Sequence, residues 1–109
     1  MPAAHRPSIA TRRALRKLGE DIGNARRRRQ LTMEILAERA LTTRQTLQKV
    51  EAGEPMVAMG IYAAVLQALG LLGGLGDLAS PGKDEVGLSL ADEALPKRVR
   101  LRARSTPHA

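Results

Sequence analysis

Residues 31–53, LTMEILAERALTTRQTLQKVEAG, decide the fold that we expect for this chain. They predict two short helices, Met33 to Ala40 and Arg44 to Ala52, joined by a tight turn. Thr32 and Thr43 are good N-caps, because a threonine hydroxyl accepts a hydrogen bond from a free amide of the first helical turn. Apolar residues at helical spacing give each helix one inward face. The stretch therefore predicts a helical unit that packs against further helices.

The outward face of the second of these helices carries long polar side chains with directional donors and acceptors: Arg44, Gln45, Thr46, Gln48 and Lys49. Arg can bond guanine at two points, Gln can bond adenine similarly, and Thr offers a hydroxyl and a methyl group. Free amides at the two helix N-termini, Thr32-Met33 and Thr43-Arg44, suit phosphate groups. The solvated face of an ordinary helix has a similar composition, so the pattern alone leaves both interpretations open.

Three more helices are predicted around this unit. The first runs from Arg13 to Gln30, after a cap at Thr11, and its apolar residues recur at helical spacing. The others run from Ala58 to Leu69 and from Leu71 to Ala79. The last helix contains three glycines, so it depends on packing. We therefore expect an all-α, five-helix domain at residues 13–80, after a flexible arm at residues 1–12.

Residues 81–109 are predicted to form a basic C-terminal tail. After Pro96, the apolar residues Val99, Leu101 and Ala103 alternate with arginines, and a period of two favours a strand. Three interpretations are open for this segment. The first is a disordered segment, and the second is a short strand that pairs with its two-fold mate. The third is a segment that adds to a sheet edge of a partner or binds an acidic groove on it.

The composition favours a polyanionic partner and an interior without aromatic packing. The chain has 109 residues, a formal charge of +7, one Tyr, no Phe, no Trp and no Cys. A basic excess of this size favours nucleic acid first, and acidic protein or a membrane surface second. No apolar run approaches the roughly 20 residues that a membrane span needs, and no leader is evident. We expect a cytoplasmic protein without disulfides.

Catalysis is not expected. The two histidines, His5 and His108, lie in the terminal segments, and the carboxylates show no paired arrangement for acid and base work. The glycines at residues 73–76 do not match a phosphate-binding loop. The sequence therefore predicts no enzyme, no cofactor and no metal site.

Residues 31–55 resemble the helix-turn-helix of the XRE family, the phage repressor and Cro-like fold. The shared features are Leu36-Ala37 in the second helix, Thr43 at the cap and Glu51-Ala52-Gly53 at the end of the third helix. The resemblance extends over about residues 14–79. It implies DNA reading by the third helix and a pair between Arg26 and Glu51. It leaves Arg27 and Arg28 exposed as candidate DNA contacts.

One position departs from the family pattern. The family usually has Gly in the turn where this chain has Leu41. A leucine at positive φ costs about 1 kcal/mol or more. The resemblance therefore implies either a strained turn or an altered one.

Two further segments resemble antitoxins of the HipB type: Leu69-Gly70-Leu71-Leu72 and Leu95-Pro96-Lys97-Arg98-Val99-Arg100. This similarity implies a repressor of its own operon and a partner that is a HipA-like kinase toxin. A homodimer is expected because one module reads few base pairs, and Leu72 and Leu75 are candidates for its seam.

The expected function is that of a sequence-specific DNA-binding transcriptional regulator, a repressor or an autoregulating antitoxin. The alternative is a protein-interaction module that neutralises a partner toxin, with DNA binding secondary. RNA binding is a weaker option, because the chain lacks aromatic side chains for base stacking.

Overall fold

The computed structural model describes residues 6–94, which are helical or irregular and contain no strand. The chain divides into two compact units, Met1–Leu75 and Gly76–Ala109. The terminal residues 1–5 and 95–109, and with them both histidines and the alternating segment after Pro96, lie outside the described residues. Among the helices of the described part, none is long and apolar enough to cross a membrane.

The first unit is built from four main helices. They are α1 (Ile9–Arg28), α2 (Met33–Arg39), α3 (Arg44–Glu51) and α4 (Met59–Ala68). A fifth helix, α5 (Gly73–Gly76), is only four residues long, although the sequence predicted Leu71 to Ala79. Glycine has a low helix propensity, and three of the four residues of α5 are glycine. The prediction of a longer helix was therefore wrong, because the glycines lower its helix propensity.

The first helix begins four residues before the predicted start at Arg13. Ser8 is its N-cap, and the Ser8 hydroxyl accepts a hydrogen bond from the backbone N–H of Thr11 at 3.1 Å. The predicted cap at Thr11 and the flexible arm over residues 9–12 were thus wrong. Pro7 fits this position, because a residue before the cap needs no helical N–H. The helix ends at Arg28, two residues before the prediction.

Four helices end with the same backbone pattern, in which a residue at positive φ follows the C-cap: Gln30 (φ 54°), Leu41 (φ 58°), Gly53 (φ 74°) and Gly70 (φ 78°). After α2, the N–H of Leu41 donates to the carbonyl of Glu38 at 3.0 Å, and Thr42 donates to Ala37 at 2.9 Å. This is the Schellman arrangement, which usually has glycine at the left-handed position. The turn between α2 and α3 therefore keeps that conformation with a leucine in place of glycine.

The core of the first unit consists mainly of aliphatic side chains from α1 to α4 and from the helix ends, together with the aromatic ring of Tyr62. Its largest fully buried members are Ile22, Leu36, Leu47, Val50 and Val65. Helix α3 packs against α1 and α2, and α2 packs against α4. These contacts fix α3 by its inner face and leave the opposite face to solvent.

The second unit is described over residues 76–94. A 3-10 helix, Pro81–Lys83, precedes a helix over residues 85–94. Asp84 caps that helix, because its Oδ1 accepts from the N–H of Gly87 at 3.0 Å and its carbonyl accepts from Leu88 at 2.9 Å. Residues 81–94 of the predicted C-terminal tail thus include two helical segments. Residues 81–94 contain one lysine and four carboxylate side chains, so the basic excess of the predicted tail lies after residue 94.

Candidate nucleic-acid interface

Helices α2 and α3 are held together by buried residues on their facing sides. Leu36, Ala37 and Leu47 are at most 3% exposed. Thr32 and Thr43 cap the two helices, and their hydroxyls accept from Ile35 N and Thr46 N, each at 3.1 Å. The start of α3 is therefore fixed at Arg44. Capping and packing together give α3 a rigid inner face.

The outer face of α3 presents most of the polar row that the sequence predicted. Arg44, Gln45, Gln48 and Lys49 are exposed along this helix. Thr46 differs, since it is half-buried and its hydroxyl accepts a hydrogen bond from the Thr43 hydroxyl at 3.0 Å. Four long side chains thus reach solvent from a helix of eight residues, with arginine at its first position.

Arg44 has a carboxylate neighbour on α2. Its Nη1 lies 3.4 Å from Oε2 of Glu34, and the two side chains are 56% and 63% exposed. No signal in the sequence pattern indicated this ion pair, because the two residues lie on different helices. Their distance depends on how α2 and α3 pack.

Arg26 and Glu51, the pair that the resemblance implied, join the end of α1 to the end of α3. Arg26 Nε donates to Oε2 of Glu51 at 2.7 Å, and Arg26 Nη2 donates to Oε1 at 3.2 Å. Arg26 Nη1 also donates to the carbonyl of Leu31 at 3.0 Å. One guanidinium therefore ties the C-terminal end of α3 both to α1 and to the turn before α2.

The next arginines along α1 do not share that position. Arg27 and Arg28 are exposed, and Arg27 Nη2 donates to Oδ1 of Asn24 at 2.7 Å. Arg29 Nη1 donates to the carbonyl of Ala25 at 2.9 Å, which completes the end of the helix. Of the four consecutive arginines, Arg26 is therefore paired with Glu51, whereas the other three are exposed, and the last of them also bonds its own helix end.

The remaining predicted contacts have mixed surroundings. Thr32 is exposed, whereas Met33 is half-buried and its side chain packs against the core. The two candidates for a dimer seam differ in exposure, since Leu72 is 36% exposed and Leu75 is half-buried. Leu71 is more exposed than Leu72, at 43%.

The close packing of two glycines of α1 was not predicted from the sequence. Gly19 and Gly23 are buried against α3, and a Cβ on Gly23 would lie 3.0 Å from Oε1 of Glu51. Gly23 therefore leaves the space that the Glu51 carboxylate occupies beside Arg26. Their spacing of four residues along one helix was the available signal, since it places both glycines on one face.

A shallow cleft of about 210 Å³ lies between the first half of α1 and the loop after α3. Its lining includes the two arginines Arg12 and Arg16, the carboxylate residue Glu54, and Pro55. Within residues 6–94, no group of three or more His, Cys, Asp or Glu side chains is placed to hold a metal ion.

Comparison of the chain with family models, curated proteins and solved structures found no match.

Proposed function

We propose that this protein is a sequence-specific double-stranded DNA-binding regulator of transcription, with α2 and α3 as an XRE-type helix-turn-helix. The observation that carries the proposal is the two-sided character of α3. Its inner face is anchored by Leu47 and Val50, which are fully buried, while its outer face exposes Arg44, Gln45 and Gln48. A recognition helix needs this combination, because base edges are read only by side chains held at a fixed position.

The outer residues divide into two roles. Arg44, Gln45, Thr46 and Gln48 read base edges, since arginine matches guanine and glutamine matches adenine in the major groove. Lys49 contacts the DNA backbone, together with the amides at the start of α3. Thr32 and the backbone of Met33 add a contact at the start of α2. Arg27 and Arg28 add positive charge toward the phosphates without reading sequence.

The biological role that fits this site is that of a repressor. We propose a cytoplasmic homodimer that binds two half-sites, because a helix of eight residues contacts few base pairs. The similarity to HipB-type antitoxins extends the proposal to a toxin–antitoxin pair, in which the chain represses its own operon and binds a HipA-like kinase toxin.

Salt titration of DNA binding tests this function. Two probes are needed: a duplex pool with a randomised centre, and the duplex that the wild-type chain enriches from that pool. Binding to both should fall steeply with salt, because phosphate contacts release counterions. A gap between the two affinities should remain at every salt concentration. Equal weak binding to both probes, with no enrichment, would reject the proposal.

A second candidate function is a protein-interaction module that neutralises a partner toxin. It is favoured by the helix of residues 85–94, which leaves Val86, Leu88 and Leu90 exposed at 72%, 47% and 60%. Val86 and Leu90 lie one helical turn apart and so share one face of this helix, and an apolar helix face is a common means of binding a groove in another protein. Deleting residues 96–109 separates the two candidates in part. If DNA affinity stays unchanged and a co-expressed HipA-like kinase is no longer retained, the basic segment serves protein binding.

A further inference from the structure

The contact between Glu34 and Arg44 sets the surroundings of the first residue of α3. A distance of 3.4 Å separates Oε2 of Glu34 from Nη1 of Arg44. The Arg44 side chain is 56% exposed. The guanidinium is therefore held electrostatically on one side while its donors stay available for another partner.

We infer that Glu34 is a specificity-determining residue, which positions Arg44 for a guanine edge and disfavours its contact with a phosphate. This inference rests on the proposed function, because it names the base and the selectivity of the same site. Glu34 itself touches no base in this scheme. It acts through Arg44 and is a positioning residue.

The shape of the arginine head group explains how Glu34 can orient Arg44. A guanidinium is planar and has five N–H donors in a fixed fork. A carboxylate on one side restricts the orientation of that plane. Donors on the other side remain free to bond O6 and N7 of guanine, which is a two-point contact in one plane. Loss of the carboxylate lets the side chain sample more rotamers before it binds.

The electrostatic part concerns the competition between bases and backbone. A phosphate carries a full negative charge, whereas the guanine edge offers only the partial charges of two acceptor atoms. The Glu34 carboxylate beside Arg44 therefore repels a phosphate that approaches the same guanidinium, and it affects guanine far less. The result is a lower affinity for arbitrary DNA and a wider gap between preferred and random sequences.

Glu38 is the matched control for charge. It lies one helical turn after Glu34 on the same short helix and is also exposed. Within residues 6–94, Glu38 takes part in no ion pair. Glu34→Gln and Glu38→Gln therefore remove the same charge from the same helix, but only the first removes the neighbour of Arg44.

The experiment measures the affinity of the full chain for two probes, the duplex pool with a randomised centre and the duplex enriched by wild type. Both variants should bind the random pool more tightly than wild type does, since each removes one negative charge. Only Glu34→Gln should reduce the ratio of enriched to random affinity, by about two- to five-fold, the range of an exposed ion pair. An equal ratio in the two variants would overturn the inference.

A second pair of variants, made in chains without the Arg44 side chain, distinguishes an effect through Arg44 from an effect of net charge alone. In Arg44→Ala chains, the Glu34→Gln and Glu38→Gln changes should give the same affinity ratio, because the positioned group is gone. A ratio that still falls only with Glu34→Gln would show that Glu34 does not act through Arg44. If wild type enriches no sequence at all, the proposed function fails. If wild type enriches a sequence and the two acidic variants behave alike, only the role of Glu34 fails.

Discussion

Gly19 of α1 and Gly53, which follows α3, face each other at backbone contact distance. A Cβ on Gly19 would lie 2.7 Å from the backbone nitrogen of Gly53 and 2.6 Å from the carbonyl oxygen of Glu51. A Cβ on Gly53 would in turn lie 2.5 Å from the carbonyl oxygen of Leu15. Two glycines therefore permit an approach that no other residue type allows. That approach places the end of α3 within reach of Arg26.

Gly19→Ala should destabilise the fold by about 1–3 kcal/mol, the cost of overpacking a close contact. Helix propensity alone predicts the opposite sign, since alanine is favoured over glycine by about 1 kcal/mol within a helix. Urea denaturation of the full chain measures the difference. Gly60→Ala is the control, because a Cβ there meets nothing within 4 Å and its helix is α4. Stabilisation by both alanines would contradict the close contact.

Glu51→Ala should lower the free energy of unfolding by about 3 kcal/mol, because it leaves the largely buried Arg26 guanidinium without its partner. The side chains of Arg26 and Glu51 are only 11% and 10% exposed. Thermal melts followed by circular dichroism check this effect. Asp21→Ala breaks the exposed pair with Lys17 and should leave the melting temperature nearly unchanged, because solvent screens that pair. A Glu51→Ala melt equal to wild type would exclude a stabilising pair.

Leu41→Gly should raise the stability of the chain by about 1 kcal/mol. Leu41 has a φ of 58° and is 94% exposed, so glycine relieves strain and loses little contact. Leu41→Ala separates strain from exposure, since alanine removes the apolar side chain but keeps a Cβ at positive φ. Differential scanning calorimetry should give the glycine variant a higher melting temperature than wild type, and the alanine variant a melting temperature near that of wild type. A glycine variant that melts below wild type would show that the leucine side chain itself stabilises the turn.

Tyr62→Phe should change how stability depends on alkaline pH. The Tyr62 hydroxyl donates to the carbonyl of Glu54 at 2.9 Å, and burial, with a smaller effect of the Glu54 charge, raises the pKa of Tyr62. A raised pKa in the folded state means that the unfolded tyrosine ionises first. The stability from this group is therefore present below about pH 10 and is lost as the pH rises through the higher folded pKa.

Urea denaturation at a series of pH values tests this dependence. Near neutral pH, Tyr62→Phe should be less stable than wild type by about 1 kcal/mol, the net value of one hydrogen bond. Above about pH 10 the difference between the two chains should shrink. A difference that stays constant across this window would show that the ionisation of Tyr62 is not coupled to folding.

Arg44→Ala and Gln45→Ala should relax the sequence preference of DNA binding, whereas Arg27→Ala should weaken binding to all sequences alike. The reason is that the first two side chains are assigned to base edges and the third to phosphates. Repeating the enrichment from a randomised pool with each variant compares the preferences directly. For Arg27→Ala, the slope of log affinity against log salt concentration should become less steep by about the amount that one phosphate contact contributes. An unchanged enriched sequence for both α3 variants would contradict their assignment to base reading.

The sequence by itself determined the local features of this protein. Apolar spacing located the four main helices, and the hydroxyls of Thr32 and Thr43 capped α2 and α3 at the expected residues. The exposure of Arg44, Gln45, Gln48 and Lys49 also followed from spacing, because burying Leu47 and Val50 turns the other faces of α3 outward, but Thr46 is half-buried. These properties depend on residues within a few positions of each other, so periodicity and capping chemistry were sufficient.

Only the tertiary structure decided which distant residues meet. The contact of Gly19 with Gly53 and the pair of Glu34 with Arg44 depend on the packing of separate helices, to which periodicity along one helix is insensitive. The boundary errors have a related cause. Helix α1 could start after Ser8 or Thr11, since both side chains can cap, and the helix of residues 85–94 has apolar residues at every second position, Val86, Leu88 and Leu90, a period that is typical of strands. Local signals offered two conformations there, and the hydrogen bonds of Ser8 and Asp84 selected one.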